Sequence, residues 1–114
     1  MDIISKPWGQ EELVEINERY MVKRLTMNKG HRCSLQYHRQ KKETVYILSG
    51  VLNVYLGESI ESLDLIEMHP GDSLTIKPGQ IHRMEGRETS VYLEASTPEL
   101  DDVVRLQDDY KRTT

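Results

Sequence analysis

The sequence predicts an all-β protein, built as a small antiparallel barrel or sandwich. Three observations predict it: strand-length segments follow one another along most of the chain, turn residues separate them at short spacing, and 114 residues suffice for one core. Residues 20–27 alternate loosely and run into Asn28-Lys29-Gly30. Residues 33–38 set Ser34, Gln36 and His38 against Cys33, Leu35 and Tyr37. Residues 44–48 are β-branched and aromatic, and end at Ser49-Gly50. Residues 51–56 end at Gly57, 63–68 at Pro70-Gly71 and 73–76 at Pro78-Gly79, and 90–95 form the last clear strand. The core barrel is thus expected over about 20–97, with an arm at 1–19 and a tail at 98–114. Pro98 followed by acidic residues suggests a short helix starting over 98–102, and the polar run 103–112 is expected to wrap the barrel.

Composition narrows the function classes. Hydrophobic residues make up 37% and charged residues 30%, as in an ordinary globular chain. The net charge of -4, without a basic block, argues against nucleic acid and membrane surfaces as partners. Cys33 is the only cysteine, so no internal disulfide forms. No signal peptide and no membrane-spanning run is visible, and a cytoplasmic location is expected.

Four side chains stand out as bearers of chemistry: Gln36, His38, Glu43 and His82. Residues two apart on a strand face one side, so Gln36 and His38 project together. Glu43 lies five residues after His38, room for a tight bend into a neighbouring strand. His82 follows Lys77-Pro78-Gly79, a turn that re-aims the chain inward. Imidazole, carboxylate and amide oxygen together suit a divalent ion; zinc, manganese, iron, cobalt and nickel all match such a set. His31 and His69 sit at turns and read as ordinary histidines.

Two segments carry a resemblance. Residues 30–50, with Gly30, Gln36, His38, Glu43 and Gly50, resemble the first cupin motif, with Gln36 in place of its first His. Residues 71–86 (GDSLTIKPGQIHRMEG) resemble the second, with Lys77 and Gly86 departing at turn positions. A Gln at that first position is typical of the C-terminal isomerase domain of type II phosphomannose isomerases, the bifunctional mannose-6-phosphate isomerase/mannose-1-phosphate guanylyltransferases. Lys6-Pro7-Trp8-Gly9, Ser34-Leu35-Gln36-Tyr37-His38, Asp101-Asp102-Val103-Val104-Arg105 and Asp108-Asp109-Tyr110-Lys111-Arg112 are similar to further motifs of that group. Thr44 stands where the group has Trp, and Lys111 where it has Gly. No Gly-rich phosphate loop of a nucleotidyltransferase half is found, so a stand-alone isomerase domain is expected.

The resemblance implies a cupin barrel (a double-stranded β-helix, or jelly roll) and a homodimer. It also implies interconversion of mannose 6-phosphate and fructose 6-phosphate. One divalent ion, zinc favoured, would sit at Gln36, His38, Glu43 and His82 and act as Lewis acid. Lys23 shares parity with Met21, Leu25 and Met27, which suggests either a lysine aimed at a polar cavity, suited to phosphate, or one snorkelling at the barrel rim. Arg105 and Arg112 lie in the group-like tail and are candidates to close over the sugar phosphate; Arg39, Lys41 and Lys42 could meet phosphate at the mouth, with a solvated hairpin the favoured reading. Glu94 is the first candidate for the proton carrier, although Val91, Leu93 and Ala95 suggest that its parity faces outward. Tyr37, Tyr46, His31 and Lys23 are the other candidates for that role. Trp8 reads as a cap on a barrel end or a subunit contact rather than a sugar-stacking residue. Two other functions compete: a non-catalytic metal-containing module that binds sugars or nucleotide sugars, and an iron oxygenase.

Overall fold

Alternation with period two organises the chain. In the segment Met21–Met27, Met21, Lys23, Leu25 and Met27 point inward, while Val22, Arg24 and Thr26 are more exposed. The computed structural model describes residues 2–112. Its strands are β1 (Asp2–Lys6), β2 (Gly9–Ile16), β3 (Met21–Met27), β4 (Leu35–Tyr37), β5 (Glu43–Ser49), β6 (Leu52–Gly57), β7 (Asp64–Met68), β8 (Ser73–Ile76), β9 (Ile81–Gly86), β10 (Ser90–Ser96) and β11 (Val104–Gln107). They form two antiparallel sheets, in the orders β1-β2-β3-β10-β5-β8 and β11-β4-β9-β6-β7. Leu25, Val45, Ile47 and Tyr92 from the first sheet share one core with Leu52, Val54 and Met84 from the second. This is the all-β barrel that the strand pattern predicts, in the cupin arrangement that the resemblance implies.

Two local expectations are corrected, and one strand is added. The segment 1–19 was expected to be an arm; among its described residues, β1 and β2 instead extend the six-stranded sheet through β3. Lys6-Pro7-Trp8-Gly9 makes the turn between them, and Trp8 enters the core at 5% exposure. No helix starts at 98–102. The one helical turn among the described residues is 3-10, at Ile60–Ser62. The segment 98–103 instead spans the gap to β11, whose hydrogen bonds go to β4. Residues 81–86, where the sequence reading names no strand, form β9, a central strand between β4 and β6.

The polar tail does lie along the barrel. Arg32 holds the Asp109 carboxylate at 2.6 and 2.9 Å, and Tyr110 hydrogen-bonds His31 at 2.7 Å. No helix among the described residues is long and apolar enough to cross a membrane.

Candidate metal centre

Strand register brings the ligand candidates together. Gln36 on β4 lies opposite His82 on β9 and, on its other side, opposite Arg105 on β11. Directly opposed residues of antiparallel strands share a face. Arg105, Gln36 and His82 therefore form one row across the five-stranded sheet, and all three line the same cavity. His38 follows β4, and a tight turn over 39–42 delivers Glu43 as the first residue of β5. The turn before β9 is tied to this point: the Gly79 N–H donates to the His38 carbonyl at 2.7 Å. Gly79 adopts φ +84°, a left-handed conformation that glycine takes without steric cost.

His38, Glu43 and His82 are each at most 3% exposed, and their ligand-type atoms lie within 4.8 Å of one another. Glu43 Oε1 stands 3.1 Å from His38 Nε2 and 3.3 Å from His82 Nε2. Both Nδ1 atoms are committed elsewhere, that of His38 to the Asp102 carbonyl and that of His82 to the Gln80 carbonyl at 3.0 Å. A carbonyl only accepts, so each Nδ1 carries a proton and each Nε2 is turned toward Glu43, with a bare lone pair unless a second proton sits there. Three acceptors then converge in a buried space. That is unfavourable unless an extra proton or a cation lies among them. His82 Nε2 illustrates this, since it is buried and makes no aligned hydrogen bond despite its nearness to Glu43. The donor set fits a borderline or hard divalent cation. Gln36 is half-buried beside it; its Oε1 accepts the Ser34 hydroxyl at 2.6 Å and keeps a second lone pair. Burial pushes the Glu43 carboxyl up, but the two imidazoles, Glu94 and the Lys41 charge hold it well below the usual carboxylate range.

The cavity around this cluster has a volume of about 470 Å³. The six-stranded sheet supplies its second set of charges. Glu94 does not face outward as its neighbours suggested. The inward parity of β10 is Ser90, Tyr92, Glu94 and Ser96, while Ala95 is exposed. Glu94 pairs with Lys41 at 2.8 Å, both buried. Burial and then the Glu43 charge push the Glu94 carboxyl up to about 7, against the opposing pull of Lys41 and Lys23. Lys41 is thus no part of a solvated hairpin: it is 5% exposed and lines the cavity, whereas its neighbours Arg39 and Lys42 are both exposed outside it. Lys23 lines the cavity too, with Nζ 3.1 Å from Glu11, whose other oxygen lies 3.6 Å from Lys6.

The remaining candidates separate cleanly. Arg105 and Arg112 line the cavity; Arg112 is held by Asp108 at 2.9 Å. His31, Tyr37 and Tyr46 do not line it. His31 stacks on Tyr110, Tyr37 lies under Arg39, and Tyr46 is 44% exposed on the opposite face of its sheet. His69 pairs with Glu67 in an exposed turn. Trp8 is a core residue whose edge reaches the cavity. Sequence reasoning missed Glu11 and Asp102, and favoured solvent over the cavity for Lys41. Only Asp102 carried a signal, as part of the Asp101–Arg105 motif, and the motif gave it no task.

An antiparallel double-sheet barrel that gathers two histidines and a glutamate inside it defines a cupin. A cupin of the RmlC-like type from Shewanella frigidimarina superposes with a TM-score of 0.75 at 17% identity, covering 88% of this chain and 86% of that one. The family model described as mannose-6-phosphate isomerase C-terminal matches residues 2–108, and the chain belongs to that family. Among curated relatives, the xanthan biosynthesis protein XanB of Xanthomonas campestris pv. campestris is 30% identical over 96% of this chain and 24% of its own length. The mannose-1-phosphate guanylyltransferase ManC of Salmonella typhimurium is 31% identical over 96% of this chain and 23% of its own. The chain therefore spans about a quarter of the length of these relatives.

Proposed function

We propose that this chain is a metal-dependent aldose–ketose isomerase interconverting mannose 6-phosphate and fructose 6-phosphate. One observation carries the reading: Glu94, a buried carboxyl brought to about 7, shares a cavity with the His38–Glu43–His82 cluster. A group that must take a proton from one carbon and return it to the next works best with a pKa near the working pH. A divalent cation held by Gln36, His38, Glu43 and His82, zinc favoured, would supply Lewis-acid polarisation of the substrate carbonyl. Glu94 then moves the proton between the two carbons of an enediol, and the Lys41 ammonium keeps it partly ionised. Lys23 and Arg105 face the same cavity and are the proposed phosphate contacts; around Glu11, Lys6 and Lys23 place two ammonium groups on one carboxylate. The cavity volume of about 470 Å³ lies within the range usual for small-molecule sites. The family description and the mannose phosphate in the ManC name support the substrate class. A cytoplasmic homodimer goes with this reading; exposed Tyr46 and Leu48 and the open edge of β1 support the pairing.

A coupled assay with mannose 6-phosphate tests the proposal. Turnover is expected, lost on chelation and restored by a divalent ion. Absence of turnover with every divalent ion added would sink it. The binding-module reading is favoured by a different observation, that Glu94 and Lys23 already have charged partners in Lys41 and Glu11. Its signature is metal-dependent binding of a sugar phosphate or nucleotide sugar without conversion.

A further inference from the structure

The segment after β10 is fastened to the ligand-bearing turn more closely than a surface tail requires. Asp102 makes two kinds of contact at once. Its main-chain carbonyl takes the Nδ1–H of His38. Its carboxylate takes three backbone amides of the turn between His38 and Glu43: Oδ1 accepts from Arg39 at 3.0 Å, and Oδ2 accepts from Gln40 at 2.7 Å and Lys41 at 2.9 Å. Two residues later Val104 and Arg105 pair with Tyr37 and Gln36. Residues 102–105 thus run antiparallel to 36–41, through the stretch that carries Gln36, His38 and Lys41 and ends just before Glu43.

We infer that Asp102 is a positioning residue of the metal centre, through which the C-terminal segment sets metal affinity. The inference rests on the reading that His38, Glu43 and His82 hold a divalent ion. Two physical effects carry it. The carbonyl contact selects the tautomer that leaves Nε2 bare for a cation and fixes the ring plane. The carboxylate clamp fixes a turn whose amides have no strand partner, so that His38 and Glu43 stand at one separation before a cation arrives. A ligand set held in place loses less conformational entropy on binding. Asp102 is separated from this turn by about 60 residues of chain, so the link exists only in the folded protein.

The test uses the full chain and Co²⁺ alone as probe, with affinity read by competition against a chelating dye and geometry by the visible absorption of the bound ion. Asp102→Ala keeps the main-chain carbonyl that faces His38 and removes the carboxylate clamp on residues 39–41. With the turn and that carbonyl no longer held in place, Co²⁺ binding is expected to weaken about 10-fold, the low end of the effect of an outer partner, and the absorption spectrum to change. Asp102→Asn keeps one acceptor oxygen for Gln40 and Lys41 but offers a donor to Arg39, so its affinity is expected between the two. It also carries the test if the alanine variant does not fold. Asp109→Ala cuts the same tail from Arg32 and is expected to leave affinity and spectrum unchanged. The inference is overturned if both Asp102 variants bind Co²⁺ with wild-type affinity and spectrum, or if Asp109→Ala weakens binding equally. Failure of the wild-type protein to bind Co²⁺ or Zn²⁺ overturns the underlying reading instead, and this inference with it.

Discussion

Replacing Lys41 by Met in the metal-free protein isolates the charge balance of the cavity. Lys41 and Glu94 form a buried pair at 2.8 Å. Removing one partner of such a pair costs ~3–5 kcal/mol if the other stays charged. Glu94 has a cheaper escape, because its carboxyl already sits at about 7 and can hold its proton. That value lies above the ordinary 4.5, so the native state retains a proton that the unfolded chain has released. Stability therefore falls as pH rises from 4.5, and the loss stops once Glu94 ionises above about 7. Without Lys41 the carboxyl moves higher and the loss continues. Between pH about 7 and about 8.5 the variant is expected to lose a further ~2 kcal/mol relative to wild type, at ~1.4 kcal/mol per pH unit for one proton. Urea unfolding at mildly acidic and mildly alkaline pH, with chelator present, reads this directly. The double variant Lys41→Met/Glu94→Gln should lose the added pH dependence. An equal destabilisation by Lys41→Met at both pH values would refute the coupling of these two groups.

Further outcomes follow from other contacts. Glu94→Gln should lower the isomerase turnover proposed above by ~10²–10⁴ while Co²⁺ affinity is retained; unchanged turnover would remove Glu94 as the proton carrier. Asp102 and Asp108 are both held at about 2, below the ordinary 3.8: burial opposes this, while backbone amides on Asp102 and Arg112 with its neighbours on Asp108 outweigh it. Their contribution to stability is complete above the ordinary value and is lost as pH falls from 3.8 through about 2. The melting temperature should drop over that window, and less so in Asp102→Asn. Gly50→Ala should destabilise far more than Gly79→Ala. Both glycines have positive φ, but a Cβ at Gly50 would lie 2.2 Å from the Thr89 carbonyl oxygen, and one at Gly79 meets nothing within 4 Å. Gly79→Ala then carries mainly the left-handed backbone cost of ~1–2 kcal/mol, measurable by denaturant unfolding.

Much of the barrel was legible because strand periodicity is local. The alternation of residues 20–27 and the Pro-Gly turns identify strands without knowledge of their partners. Gln36, His38, Glu43 and His82 were legible for a related reason, since a motif on two strand–turn segments spaces its residues along the chain. The inward side of β10 was not. Sequence reasoning takes the apolar parity as the buried one, and Val91, Leu93 and Ala95 have that parity. The cavity reverses the rule, because Glu94 is offset by Lys41 and Lys23 rather than by apolar neighbours, and a charge compensated in space leaves no periodic trace.

The sequence by itself determined the strands β3 to β8 and β10, the turns between them and the identity of the four candidate ligands. Only the tertiary structure decided that Lys41 is buried, that Glu11 answers Lys23, and that β1 and β2 extend the sheet rather than trail from it. It alone placed Asp102 behind His38. The physical reason is range. A side chain's alternation and a turn's backbone preference act over a few residues, whereas the ion pair between Lys41 and Glu94 and the clamp of Asp102 on residues 39–41 join positions more than 50 residues apart.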